Sequence, residues 1–236
     1  MIKVKNLIKS FGTVYALRGV SLHLEKGCLL SIFGPNGAGK STFIRIVATL
    51  SQATSGQLEI DGLSVQKQAA RIRQRLGVIA HSTFLYDELT AQENLQFYSK
   101  LYGLNKPGPR IEKLLDDVGL KRRRDDRVRT FSRGMQQRLS IARAMLHDPD
   151  ILCLDEPYTG LDQHASQILT DWLKLLRSEK RTILLVTHNI PQGLRLADQV
   201  AIFNRGKLAL HEDKAGNDAD IFLKRYNEII SQGGHA

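Results

Sequence analysis

The chain has 236 residues, 42% of them hydrophobic and 25% charged, and a formal net charge of +10 at pH 7. That balance supports a buried core and excludes a disordered or low-complexity chain, and the length allows one domain or one domain with an inserted subdomain. Two cysteines, Cys28 and Cys153, both in apolar runs, exclude a disulfide framework and fit reduced core thiols; no metal-ligand spacing is present, MIKVKNLIKSFG lacks the apolar core of a secretory leader, and no run approaches the roughly 18 apolar residues of a membrane span.

The opening segments IKVKNLIKSF, YALRGVSLHLEKG and CLLSIFG read as short strands, the last as a continuous apolar run of the kind a buried strand needs. GPNGAGKST follows, then a helical stretch, TFIRIVATL. GQLEIDG predicts a strand and turn, and RIRQRLGVIA ends in another strand. From about residue 85 the texture turns helical. TAQENLQFYSKLYGL carries a capping box at Thr90 and Glu93, RIEKLLDDVGL is amphipathic, KRRRDDRVRT is a charged connection, and SRGMQQRLSIARAML is a third helix with Ser132 as its N-cap. Strand texture returns at DILCLDEP, followed by helix QHASQILTDWLKLLRSE, strand TILLVTH, helix IPQGLRLADQ and a strand VAIFNRGKLALH. A surface helix is expected from about residue 218 to 232. Strands alternating with helices predict an α/β fold with a mostly parallel sheet covered on both faces.

Residues 34–41 fit G-x-x-x-x-G-K-[ST], with Gly34, Pro35, Asn36, Gly37, Ala38, Gly39, Lys40 and Ser41, and Thr42 completes the loop segment. A strand delivers the chain to a tight loop whose glycines let backbone N–H groups converge on phosphate oxygens, and the helix that follows points its positive end at the same anion. Lys40 would reach the β- and γ-phosphates of ATP, and the Ser41 hydroxyl would ligate Mg²⁺. ILCLDEP ends a buried strand with two adjacent carboxylates, Asp155 and Glu156. Buried charges without partners are costly, and a Mg²⁺ ion would supply one. Asp155 would hold the metal and Glu156 would polarise the attacking water.

Taken together these segments resemble the ATP-binding subunit of an ABC transporter, along nearly the whole chain and with the family's motifs in order. The resemblance implies a P-loop NTPase (RecA-like) core, about residues 1–84 and 150–236, with an antiparallel β subdomain and an inserted α-helical subdomain at about residues 85–149. It makes Phe11 the aromatic that stacks on adenine, with Val14 nearby, and FSRGMQQR the family signature. Asp155 and Glu156 become the Walker B acid and the catalytic glutamate, Gly160, Leu161 and Asp162 the D-loop, and His188 the switch histidine that contacts the γ-phosphate and orients the water. It further implies that Ser132 and Gly134, at a helix N-terminus, complete the ATP site of a second subunit and that Asp162 couples the two sites.

The sequence departs from the family pattern in two places. The common signature L-S-G-G-Q reads Phe131, Ser132, Arg133, Gly134, Met135, so Arg133 either adds charge near the γ-phosphate held by the other subunit or points outward. The position of the Q-loop glutamine falls on His81, which can also ligate metal or orient water. His81, the ELTAQENL segment, FSRGMQQRLSIARA and DEPYTGLD are similar to the haem-exporter, cytochrome c maturation branch, although drug, lipid and polysaccharide exporters share much of this text. The expected partners are a second ATP-binding subunit and separate transmembrane permease subunits at the cytoplasmic face of the membrane, docked through the helical insert and the His81 loop. A soluble ABC ATPase acting on DNA or the ribosome is the rival, kept open by the charge of +10 and by KRRR. Adjacent Asp125 and Asp126 favour a solvated face there, and no nucleic acid is expected.

Overall fold

The computed structural model describes residues 1–80, 82–214 and 219–232. Two sheets form its frame. The first is four-stranded and antiparallel, in the order β2 (Val14–Leu24), β1 (Ile2–Phe11), β4 (Ser55–Ile60), β5 (Leu63–Ser64). Along β1, Ile2, Val4 and Leu7 are buried while Lys3 and Lys5 are exposed, the alternation of a sheet with one wet face.

The second sheet has six strands in the order β10 (Lys207–Asp213), β9 (Gln199–Asn204), β3 (Leu29–Phe33), β8 (Thr182–Val186), β7 (Ile151–Asp155), β6 (Leu76–Ile79). Its strands run parallel except β10, which returns antiparallel to β9. Strands β3, β7 and β8 are buried at every position, which is why they read as unbroken apolar runs. The single strand expected over VAIFNRGKLALH is a hairpin: Arg205 and Gly206, at φ 49° and 81°, turn β9 back into β10. Positive φ at both central residues is the geometry that favours a two-residue hairpin turn.

Helices α1 (Lys40–Val47), α2 (Val65–Arg73), α6 (Gln163–Ser178), α7 (Ile190–Leu196) and α8 (Ala219–Gln232) accompany the sheets. Helices α3 (Ala91–Leu101), α4 (Gly108–Asp117) and α5 (Arg133–Met145) pack on one another between β6 and β7. The capping box of α3 forms as expected: Glu93 N donates to Thr90 Oγ1 and Thr90 N donates to Glu93 Oε2. The charged connection ties itself up in exposed ion pairs, Arg123–Asp126 at 2.8 Å and Arg124–Asp125 at 3.1 Å. Helix α8 is more than a surface helix. Phe222 is fully buried, its ring 5.3 Å from that of Phe33 at the end of β3. One core lies between the two sheets, around Leu17, Phe43, Leu58 and Leu184, and a second lies between the parallel sheet and α3–α5, around Leu95, Leu115, Leu139 and Leu152.

Candidate active site

The chemistry-bearing residues gather at the C-terminal ends of β3, β8 and β7, three neighbouring parallel strands. Ligands of open α/β sheets bind at that edge. Strand β3 leads into residues 34–39, and α1 starts at Lys40. Gly34 sits at φ 146°, where a Cβ would fall 2.2 Å from Phe203 O, and Gly39 at φ 100°, where a Cβ would fall 2.5 Å from Ala16 O. The loop is thus seated against backbone on both flanks and tolerates no side chain there. Gly37, at φ 79°, is exposed and faces open space, so its side of the loop is free to receive a ligand. Asn36 is exposed as well, Pro35 is half-buried, and Ala38 is buried beneath the loop, its carbonyl accepting from Gly206 N.

Lys40 is buried, and its Nζ donates to Gly34 O at 2.6 Å and Pro35 O at 2.9 Å. Burial lowers its pKa from the usual lysine value, against the pull of Glu156 and Asp155. Its ammonium is therefore held under the loop by two carbonyls and is short of a full anionic partner. Ser41 Oγ donates to Asp155 Oδ1 at 3.0 Å, joining the loop to the end of β7 across the intervening strand β8. Thr42 is half-buried in the first turn of α1.

Asp155 is buried, and burial pushes its carboxyl above the ordinary aspartate range; the neighbouring Glu156 adds to this, while Ser41 and Lys40 act against it. A hydroxyl and an ionised carboxylate oxygen side by side, in a place that disfavours negative charge, form a hard-oxygen pair suited to a divalent cation. The residues present fit Mg²⁺.

Glu156 leaves the strand in the left-handed region at φ 51°, with its N–H donating to Val186 O at 3.0 Å. A non-glycine residue held there is strained, and the strain turns its carboxylate out of the sheet. Glu156 Oε2 then lies 2.8 Å from His188 Nδ1 and accepts from the His188 amide at 3.4 Å. His188 follows β8, and its side chain is exposed.

Phe11 and Val14 pair across the two-residue turn between β1 and β2, and both are exposed, so neither is a core residue. Two residues beyond Val14, Ala16 touches the phosphate loop at Gly39, which sets the apolar tip beside the loop. Ser132 caps α5 by accepting from Met135 N at 3.3 Å, and Asp162 caps α6 by accepting from Ala165 N at 2.7 Å. Ser132 is exposed, Gly134 is half-buried against Gly160, and Asp162 is exposed. Arg133 is exposed, and its stem lies on Gly160. His81 lies outside the described residues. Sequence reasoning passed over Gln137, buried on α5, whose Nε2 donates to Pro157 O at 3.1 Å beside Glu156. A polar residue on the inward face of an amphipathic helix was the available signal.

Residues 17–159 match the family described as ABC transporter, ABC_tran. The chain is 40% identical over 229 residues to the ABC transporter ATP-binding protein NatA of Bacillus subtilis, covering 92% of this chain and 93% of that protein. It is 35% identical over 211 residues to the Nod factor export ATP-binding protein I of Ralstonia nicotianae, covering 88% of this chain and 65% of that protein. Its fold is similar to the dimeric, post-hydrolysis structure of the ATP-binding cassette MJ0796 bound to ADP and Pi, with TM-score 0.84, 29% identity and coverage of 92% of this chain and 100% of that one. The chain belongs to the ABC transporter family and is one of its ATP-hydrolysing cassettes. No helix among the described residues is long and apolar enough to cross a membrane.

Proposed function

We propose that this chain is the ATP-hydrolysing subunit of an ABC exporter, working as a head-to-tail dimer beneath separate transmembrane subunits. The observation that carries the catalytic part is the convergence of Lys40, the Ser41–Asp155 pair and the Glu156–His188 pair on one sheet edge. In this reading residues 34–42 cradle the phosphates of ATP through backbone N–H groups, and Lys40 exchanges its carbonyl partners for phosphate oxygens. Phe11 and Val14 offer an exposed apolar face for adenine. Ser41 and Asp155 hold Mg²⁺, which when bound neutralises phosphate charge and polarises the transferring phosphoryl group. Glu156 accepts a proton from the attacking water, and His188 fixes the orientation of its carboxylate. Ser132 and Gly134, at the N-terminus of α5, serve the nucleotide of the second subunit, with Asp162 at the junction.

The dimer is supported by the likeness to the dimeric cassette with ADP and Pi, and export by the relative named for Nod factor export. Neither named relative refers to haem, and His81, the residue that prompted the haem-exporter reading, lies outside the described residues. Export of a drug, lipid or polysaccharide is therefore the preferred reading over haem export. The helical segment, about residues 85–149, with the edge of the core would dock the permease. An open groove of about 550 Å³ between them is lined by Leu50, Phe84, Leu101, Tyr102, Arg73 and Arg143, and Leu50, Phe84 and Leu101 are exposed.

Glu156→Gln tests the assignment. The variant is expected to bind ATP as tightly as the parent, to dimerise with ATP by size-exclusion light scattering, and to lose at least about 100-fold in turnover. Parental turnover in that variant removes Glu156 from the reaction.

A further inference from the structure

The N-terminal turn of α5 and the segment after Glu156 are locked together within one chain. At Gly160, φ 79°, a Cβ would lie 2.9 Å from Arg133 Cδ, 3.0 Å from Nε and 3.3 Å from Cγ. The arginine stem thus fills the space a side chain on Gly160 would need. Gly134 faces the same residue, and a Cβ there would lie 3.6 Å from Gly160 O. One turn further along α5, buried Gln137 donates to Pro157 O at 3.1 Å. Between these contacts the chain closes on itself, Thr159 N donating to Glu156 O and Leu161 N to Tyr158 O, both at 3.1 Å. Residues 156–161 therefore have little freedom to move without α5. Arg133 and Glu156 also line one cavity of about 540 Å³, together with Ser82, Thr83, Gln137 and Thr159.

We propose that Arg133 is a positioning residue for ATP hydrolysis: its aliphatic stem clamps Gly160, so that displacement of Ser132 and Gly134 is passed to Glu156 of the same chain. The proposal rests on the head-to-tail dimer reading, in which Ser132 and Gly134 serve the partner's nucleotide and Glu156 serves its own. Capture of ATP at one site then sets the carboxylate at the other, and hydrolysis rises cooperatively with ATP. Of the three atoms nearest that position, Cδ and Cγ are carbons of the stem and Nε is the first nitrogen of the guanidinium. Packing by an unbranched chain, rather than charge, is the property required, and lysine or methionine supplies it where alanine or glycine does not.

Full-length Arg133→Met, Arg133→Lys, Arg133→Ala and Arg133→Gly chains test this through ATPase rates against ATP concentration, with thermal melts as a fold control. Arg133→Met and Arg133→Lys are expected to keep the parental kcat within about twofold, together with the cooperativity. Arg133→Ala and Arg133→Gly are expected to lose about tenfold in kcat, with KM within about twofold and the Hill coefficient falling toward about 1, because displacement of a reacting group costs rate rather than uniform binding. Parental kcat and cooperativity in Arg133→Ala overturn the clamp. So does an Arg133→Met chain as impaired as Arg133→Ala beside an intact Arg133→Lys chain, since charge would then be the operative property. ATP-driven dimerisation of Glu156→Gln, measured alongside, separates the two layers. A monomer at saturating ATP overturns the dimer reading and the coupling with it, whereas a normal dimer with non-cooperative parental kinetics overturns the clamp alone.

Discussion

Glu156 and His188 are bonded to each other: the carboxylate Oε2 stands 2.8 Å from the imidazole Nδ1, and the glutamate alone occupies a strained left-handed backbone position. The carboxylate that would accept the proton of water is thus already oriented by a side chain from the loop that follows the next strand, β8. His188→Ala is expected to leave ATP affinity within a few-fold and to lower turnover by about 100-fold, the cost of a reacting group left misplaced. Single-turnover ATPase and equilibrium nucleotide titration read the two quantities separately.

Lys40 should contribute to binding before it contributes to chemistry. Its ammonium gives up two carbonyl bonds and gains phosphate, so the net effect is that of one charge-assisted interaction. Lys40→Ala is expected to weaken ATP binding by about 10- to 100-fold, measured by calorimetry. Gly34→Ala tests the loop itself. Its Cβ would fall 2.2 Å from Phe203 O, so the variant is expected to lose about 2 kcal/mol or more of stability as well as nucleotide affinity.

Asp155 carries a cost in the nucleotide-free chain. Its folded pKa is raised above the unfolded value, first by burial and then by Glu156, so the folded state binds the proton more readily than the unfolded state does. The penalty is present at neutral pH, where the carboxylate is ionised, and vanishes as pH falls below the unfolded value. Asp155→Asn keeps an acceptor for Ser41 and removes the charge. It is expected to raise the melting temperature at pH 7, with the gain shrinking at low pH, while abolishing the stimulation of ATPase by Mg²⁺. Thermal melts at two pH values check the first half, and ATPase rates with and without Mg²⁺ check the second.

His147 sets an acid limit. Its ring stacks on Tyr102 at 3.8 Å and 12°, and Nε2 lies 3.1 Å from Leu76 O. Burial, helped by Arg143 and Arg110, lowers its pKa from the usual 6.5 to about 4. The unfolded chain takes up a proton near 6.5 and the folded chain near 4, so stability falls as pH drops through that window and levels off below it. With the ring half-buried, about 1–2 kcal/mol is expected, less than the full shift would give. His147→Gln should flatten that part of the urea-denaturation profile between pH 7 and pH 4.5.

Much of this site was legible in the sequence because its rules are local. Gly34, Gly39, Lys40 and Ser41 announce a phosphate loop by spacing alone, and the buried strands β3, β7 and β8 declare themselves as apolar runs. Thr90, Ser132 and Asp162 cap helices, and the capping chemistry of Thr90 and Ser132 reads directly from residue type. What escaped depends on contacts between distant segments. The turn at Arg205 and Gly206 was hidden inside a run that looks like one strand, and helix α2 went unread because its apolar residues are sparse. The pairing of Glu156 with His188, 32 positions apart, needs the order of strands β7 and β8. The contact of Arg133 with Gly160 follows from where α5 is laid against the segment after Glu156, which no periodicity encodes.

Phe33 is the residue immediately before Gly34, and its ring is enclosed by Phe222 of α8 at 5.3 Å and by α7, where a Cβ on Gly193 would come within 2.7 Å of it. The base of the nucleotide cradle is therefore covered by α8. Shortening the protein before Ala219 would bare an aromatic ring directly beneath the loop. A change made in α8 would register as weakened grip on nucleotide, and nucleotide, once gripped, would slow proteolysis of that helix.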